Sequence, residues 1–138
     1  MGRILGIDYG IARVGLAITD ILKITAQSMD TLEIKGDDMI LINKIKELVN
    51  ESKLEAVVIG YPRHLNGDIS ETAKKIDNVI LKIEEMGLPV IKWDERLTTV
   101  MAHKTMKEMG IKQKDKKIHA DRLAAMYILE DYLKSQSY

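Results

Sequence analysis

Three acidic segments carry the residue types that chemistry at a sheet edge would need. GIDYG closes a short apolar run, Arg3 to Tyr9, and places Asp8 near the end of what should be a buried strand. An ionised carboxylate there is costly unless it is paired, hydrogen-bonded or bound to a cation. Gly6 shares the face of Asp8 by strand alternation and leaves open space beside it, while Gly10 allows backbone geometry that a side chain would forbid. KWDERLTT, Lys92 to Thr99, repeats the arrangement and offers Asp94 and Glu95, of which only one can share a cleft with Asp8 while the strand still alternates. The third segment, KKIHADRLAAMYIL, sets Asp121 one helical turn before Ala124 and Ala125, small residues that let a helix lie close on a sheet. Asp121, Ala125, Ile128 and Tyr132 form one stripe, so the aspartate heads a mostly apolar face. Blander roles stand beside each: a turn-ordering aspartate before Gly10, a helix cap at an exposed strand end, and a solvated helix face.

Three acids at one edge raise one another's proton affinity unless a divalent cation sits among them. The chain has no cysteine, and His64, His103 and His119 lie far apart with no ligand spacing. Oxygen-only ligands select a hard ion, Mg²⁺ or Mn²⁺, as one or two ions. The chemistry such a site suits is metal-assisted phosphodiester hydrolysis with water as nucleophile.

The elements that must position these acids follow from periodicity. Arg3 to Tyr9 and Val14 to Thr19 read as strands separated by so short a turn that they can only pair antiparallel, and Ile24 to Ile34 supplies a weaker third strand. A helix is expected from Asp38 to Val49, a buried strand at AVVIG (Ala56 to Gly60), and a second helix behind the capping-box pair Asp68 and Glu71, ending near Gly87. VIKW (Val90 to Trp93) is a fifth strand, Thr98 or Thr99 caps a third helix toward Met109, and Ile118 to Leu133 forms the last. Right-handed crossovers place the fourth and fifth strands beside the first. The expectation is an α/β ribonuclease H-like fold: a five-stranded mixed sheet, order 3-2-1-4-5, with helices on both faces. Parallel strands end at one edge, where ligand sites of open sheets favour the carboxyl termini, so Asp8 and one of Asp94 and Glu95 meet there.

At 138 residues, 46% hydrophobic and 30% charged, with only 2 prolines, the chain reads as one globular domain spanning residues 1–138, neither disordered nor fibrous. MGRILGIDYG lacks the apolar run of a signal peptide and no stretch reaches membrane-spanning length, so a cytoplasmic protein without membrane association is expected. Lys plus Arg and Asp plus Glu both number 21, which excludes a uniformly positive surface but not a local patch. From Lys104 to Arg122 seven basic residues face three acidic ones, Glu108, Asp115 and Asp121. Lys114, Lys116 and Lys117 of that run suit phosphate-backbone contact without base reading. Arg13 and Arg96 flank the acidic motifs and can grip a phosphate in two places, or neutralise a neighbouring acid. Trp93 and Tyr61 stand at strand ends, where packing competes with base stacking.

GIDYGIARVGLA, VVIGYPRHLNG, DERLTT and the late Asp121 with its two alanines together resemble the YqgF family, in order and over essentially the whole chain. These are small bacterial ribonuclease H-like proteins described as Holliday-junction resolvase-like and as candidate pre-16S rRNA nucleases. The resemblance implies Asp8, Glu95 and Asp121 as catalytic, metal-holding acids, choosing Glu95 over Asp94, which alternation alone leaves open. It implies a metal-dependent endonuclease in 5′-end maturation of pre-16S rRNA, with pre-rRNA, branched DNA and the ribosome as partners. The middle motif departs from the family pattern, with Asn66 before Gly67 where an acidic residue is usual, and His119 stands where many relatives carry an aliphatic residue. Three other readings compete: a Holliday-junction DNA resolvase, which needs two symmetric sites; a sugar-kinase-like or actin-like phosphate loop, which needs a second domain; and a non-catalytic RNA-binding ribosome-assembly factor.

Overall fold

The computed structural model describes residues 2–62, 71–94 and 116–136. In chain order its elements are β1 (Arg3–Asp8), β2 (Arg13–Thr19), β3 (Ala26–Ser28), β4 (Leu32–Glu33), α1 (Asp38–Ser52), β5 (Leu54–Tyr61), α2 (Glu71–Glu85), β6 (Val90–Asp94) and α3 (Lys116–Gln136). The sheet runs β3-β2-β1-β5-β6, with β4 paired to β2. This is the expected order, renumbered because the first edge strand comes in two pieces. β1 pairs antiparallel with β2 and parallel with β5, and β5 pairs parallel with β6.

The expected strand from Ile24 to Ile34 is broken for a reason the register makes plain. Ala17 opposes Ser28, and Met29 N–H donates to the Leu16 carbonyl, but pairing resumes with Val14 opposite Leu32. One residue of β2, Gly15, therefore faces two on the edge strand, Asp30 and Thr31, the count of a β-bulge. The expected helix after Thr98 or Thr99, and the capping residue Asp68, lie outside the described residues.

Alternation divides the side chains of the sheet between two cores. Leu5, Ile7, Tyr9, Val57 and Ile59 join Leu41, Ile42, Ile45 and Leu48 of α1 and Ile76, Val79, Ile80 and Ile83 of α2. Ile4, Ala17, Ala56 and Val58 join Ala125, Ile128 and Leu129 of α3. Both faces of the central strands are thus dry, which is why β5 reads as a continuous β-branched run rather than an alternating one. Among the described residues no helix is long and apolar enough to cross a membrane.

The space beside Gly6 is filled rather than open. A Cβ built on Gly6 would lie 2.6 Å from Leu129 Cγ and 2.9 Å from the Ala125 carbonyl oxygen, so the backbone of α3 rests directly on β1. Gly10 is also required by contact, not by dihedral angle. A Cβ there would lie 2.5 Å from the Arg13 carbonyl oxygen, and the described glycines with positive φ are Gly36 and Gly87. We expect Gly6→Ala to destabilise the fold by about 1–3 kcal/mol through overpacking. Urea denaturation measures this, and an unchanged midpoint would contradict the close approach.

Candidate active site

The parallel strands β1, β5 and β6 present their carboxyl ends at one edge, with Asp8, Tyr61 and Asp94 as final residues. Asp8 opposes Gly15 of β2 and is half-buried. It alternates with Tyr9, which belongs to the α1 and α2 core, and therefore stands on the α3 face with Ile4 and Gly6. Arg13 opens β2 two residues beyond Gly15 on that same face, a diagonal neighbour of Asp8 across the strand pair.

The end of β6 separates its two candidate acids by face. Trp93 packs against α3, its ring edge-on to Tyr132 with centroids 5.8 Å apart. Lys92 faces the other way, 3.8 Å from Asp77 of α2 and with its ammonium 4.6 Å from the centre of the Tyr61 ring. Asp94 follows Lys92 in alternation and so falls on the α2 face, opposite to Asp8. Trp93 and Tyr61 are both packing residues here, and the Tyr61 hydroxyl donates to Asp77 at 3.2 Å. Burial, followed by Asp77, raises the Tyr61 phenol above its ordinary value.

Glu95, Arg96 and Lys114 lie outside the described residues. Asp121, Lys116 and Lys117 are on α3, their side chains outside what is described. The path of α3 is nonetheless defined. Ile4 shares a cavity with Tyr132 and Gln136, while Gly6 abuts Ala125, so the helix runs antiparallel to β1 and its amino-terminal part heads toward the Asp8 end. Among the described residues no cluster of three His, Cys, Asp or Glu side chains could hold a metal.

Two features of this edge escape sequence reasoning. The first is on the face away from Asp8, where the Tyr9 hydroxyl donates to Asp38 Oδ1 at 2.5 Å and Lys75 of α2 stands 3.6 Å from Asp38 Oδ2. Lys75 also donates to the Gly36 carbonyl at 3.4 Å. The residue next to the acid is thereby tied to the amino terminus of α1 and to α2. The tyrosine in DYG was the available signal, since a buried phenol at a strand end needs a partner. The second is a pair of buried atoms without hydrogen-bond partners, Arg13 Nε and Thr31 Oγ1. Nothing in the linear pattern marks Thr31, because the bulge that sets its register is invisible to alternation. A cavity of about 630 Å³ lined by Lys23, Thr25, Glu130, Leu133 and Lys134 lies toward the opposite edge.

Burial first, then the bond to Asp38 and its charge, pushes the Tyr9 phenol far above its ordinary value near 10. Folded Tyr9 keeps its proton where the unfolded chain has released it, so its contribution is complete below pH about 10 and is lost as pH rises beyond that. Tyr9→Phe should cost about 1–3 kcal/mol at pH 8, where a hydrogen bond to a charged acceptor is removed. The gap between the two proteins should then narrow at pH 11, as read by urea denaturation at both values. A gap independent of pH would remove the linkage.

The comparisons bear on the whole chain. Residues 2–135 match the model of a family described as "RuvX: Holliday junction resolvase". Proteins named "Putative pre-16S rRNA nuclease" are 44% identical over 136 residues in Acetivibrio thermocellus, covering 97% of this chain and 96% of that protein, and 42% identical over 136 residues in Dictyoglomus thermophilum, covering 98% and 97%. Among solved structures, Thermus thermophilus RuvC in complex with a Holliday junction substrate aligns with TM-score 0.58 at 19% identity, covering 99% of this chain and 96% of that one. The fowlpox virus Holliday junction resolvase aligns at TM-score 0.57 and 15% identity, covering 97% and 99%. At such identities these two structures speak for the fold, which is ribonuclease H-like.

Proposed function

The chain belongs to the RuvX family, and from that premise we propose that it is a metal-dependent endonuclease that hydrolyses phosphodiester bonds in maturing the 5′ end of pre-16S rRNA, as a single domain. The observation that carries this reading is the placement of Asp8: the central strand ends in a half-buried carboxylate at the edge where the parallel strands β5 and β6 also end. The names of the full-length relatives supply the substrate.

Asp8, Glu95 and Asp121 are the proposed acids. Asp94 falls on the α2 face, opposite to Asp8, which counts against it; Glu95, outside the described residues, is the acid that the family resemblance implies. The approach of α3 to Gly6 supports Asp121, which precedes Ala125 by one turn on the side toward the end of β1. A donor set made only of carboxylates fits Mg²⁺ or Mn²⁺, one ion or two, and when bound such an ion supplies Lewis-acid activation of water and of the phosphate oxygens. The chain's own contribution is to hold the carboxylates at a dry sheet edge and to position the substrate. Arg13 and Arg96 would grip phosphates, and Lys114, Lys116 and Lys117 would follow the backbone without reading bases.

The family's description as Holliday junction resolvase favours a second reading, in which the same site cuts branched DNA. A side-by-side assay separates them. Purified protein with Mn²⁺ or Mg²⁺ should cut a precursor 16S RNA and leave a four-way DNA junction intact, and Asp8→Asn should lower the RNA rate by at least about 10²-fold. Equal cleavage by Asp8→Asn would assign the activity to a contaminant, and cleavage of the junction alone would install the second reading.

A further inference from the structure

β1 loses its lateral support just where its acid stands. The parallel ladder to β5 ends with Ile7 opposite Ile59, and the antiparallel ladder to β2 ends with Asp8 opposite Gly15, which brings no side chain beside it. From Tyr9 onward neither ladder holds the chain. A carboxylate that must meet a cation nevertheless needs its backbone fixed to within about half an ångström.

The hold comes from one segment on the far face, residues 34–38. Ile34 and Lys35 both donate their backbone N–H to the Ala12 carbonyl at 3.0 Å, and Gly36 N–H donates to the Ile11 carbonyl at 2.8 Å. Lys35 and Gly36 have positive φ, 47° and 84°, so the chain curls tightly there. Side chains then cross-link the same segment. The Tyr9 hydroxyl donates to Asp38 Oδ1 at 2.5 Å, Lys75 of α2 lies 3.6 Å from Asp38 Oδ2, and the Lys75 ammonium donates to the Gly36 carbonyl at 3.4 Å. These contacts close a circuit, from Tyr9 through Asp38 and Lys75 to Gly36, and from Gly36 back to Ile11, two residues after Tyr9. Moving the turn must stretch bonds on both sides of it. The Asp38 side chain is only 17% exposed, which keeps competing water away from the bonds that meet there. Tyr9 and Asp8 point to opposite faces of the sheet, so whatever the circuit does for Asp8 passes through the backbone between them.

We propose that Tyr9, Asp38 and Lys75 are positioning residues of the nuclease site, holding the turn of residues 9–13 so that Asp8 stands where a divalent cation is bound. The role rests on the nuclease reading for the identity of the metal, and deepens it by naming what holds its ligand. Lys75 is the least expected member, because a lysine on an amphipathic helix ordinarily serves only to keep one face in water.

Mn²⁺ titrated calorimetrically into the whole chain without RNA tests the assignment, beside urea denaturation of each variant. Lys75→Met keeps the stem and removes the charge at a partly exposed position. It should weaken Mn²⁺ binding by about tenfold, the lower end of what losing an outer-shell support costs, with little change in the urea midpoint. Lys75→Arg keeps a cationic donor for both acceptors and should restore the parental affinity. Tyr9→Phe should weaken binding at least as much as Lys75→Met, and Lys75→Met decides the matter where Tyr9→Phe is too unstable to titrate. A merely structural role lowers the midpoint without moving the affinity, so parental Mn²⁺ affinity in Lys75→Met overturns the positioning role. A loss that Lys75→Arg shares in full does so too. If Asp8→Asn loses the ion while Lys75→Met and Tyr9→Phe keep it, the nuclease reading stands and only the positioning role falls. If Asp8→Asn binds Mn²⁺ as the parent does, the metal reading of Asp8 fails and takes the positioning role with it.

Discussion

The contact between α3 and β1 at Gly6 is the constraint on which the functional edge depends. With the Ala125 carbonyl and Leu129 packed where a side chain of residue 6 would be, the helix is locked against the strand at backbone distance. A helix seated this way cannot slide by a fraction of a turn without opening a gap or driving Leu129 into the strand, because packed interiors respond to shifts of a methyl group's width. Ala124 and Ala125, both buried, give the thin interface that this seating needs. The position of Asp121 follows from the seating, one turn ahead of Ala125 on a helix running antiparallel to β1. That placement depends on a tertiary contact, whereas that of Asp8 depends on a strand end.

A strand that emerges from the sheet with an acid on one face needs a hold on the other. Adjacent residues supply both, since Asp8 and Tyr9 point to opposite faces by the pleat alone. Tyr9 is buried at 6% exposure, and its hydroxyl reaches Asp38 at the start of α1 while Lys75 of α2 closes on the same carboxylate. The end of β1 is therefore tied to both helices of the far core. A phenylalanine would bury as much apolar surface but would leave the strand end without a directional bond, and preorganised supports of this kind keep a carboxylate in place when it must bind charge.

Much of the fold was legible because its signals are local. Apolar runs and helical stripes located β1, β2, β5, β6, α1, α2 and α3 within a few residues, and crossover handedness led to the strand order. What failed was the segment from Ile24 to Ile34, where a single inserted residue breaks the register at Gly15. Alternation read along one strand cannot detect a mismatch that exists only against its neighbour. The candidate site divides in the same way. Asp8 was legible from its position at a buried strand end, and the face of Asp94 follows from a tertiary fact, the packing of Trp93 on Tyr132, while Glu95 lies outside the described residues. Thr31 was illegible, because an ordinary threonine becomes notable only once its hydroxyl is buried without a partner. Gly6 was noticed but misread, since a missing side chain signals either a vacancy or a close approach, and only the opposing helix decides which.

The balanced net charge makes physical sense once placement is considered. In the strand and helix framework, Lys23 pairs with Glu55, Lys75 with Asp38 and Lys92 with Asp77, so these cations are met locally by carboxylates. Ion pairs at the surface contribute little to stability, but they do quench the potential that would otherwise attract polyanions to the wrong face. The sequence from Lys104 to Arg122 has no such balance, with seven basic residues to three acidic ones. One of those three is Asp121, which in the proposed site is a metal ligand and would be neutralised by its ion. In the proposed reading, a chain with zero formal charge can still attract a phosphate backbone through the one segment whose basic residues outnumber its acidic ones. In that proposal the placement of basic residues along the sequence, rather than their total, is what would draw the substrate.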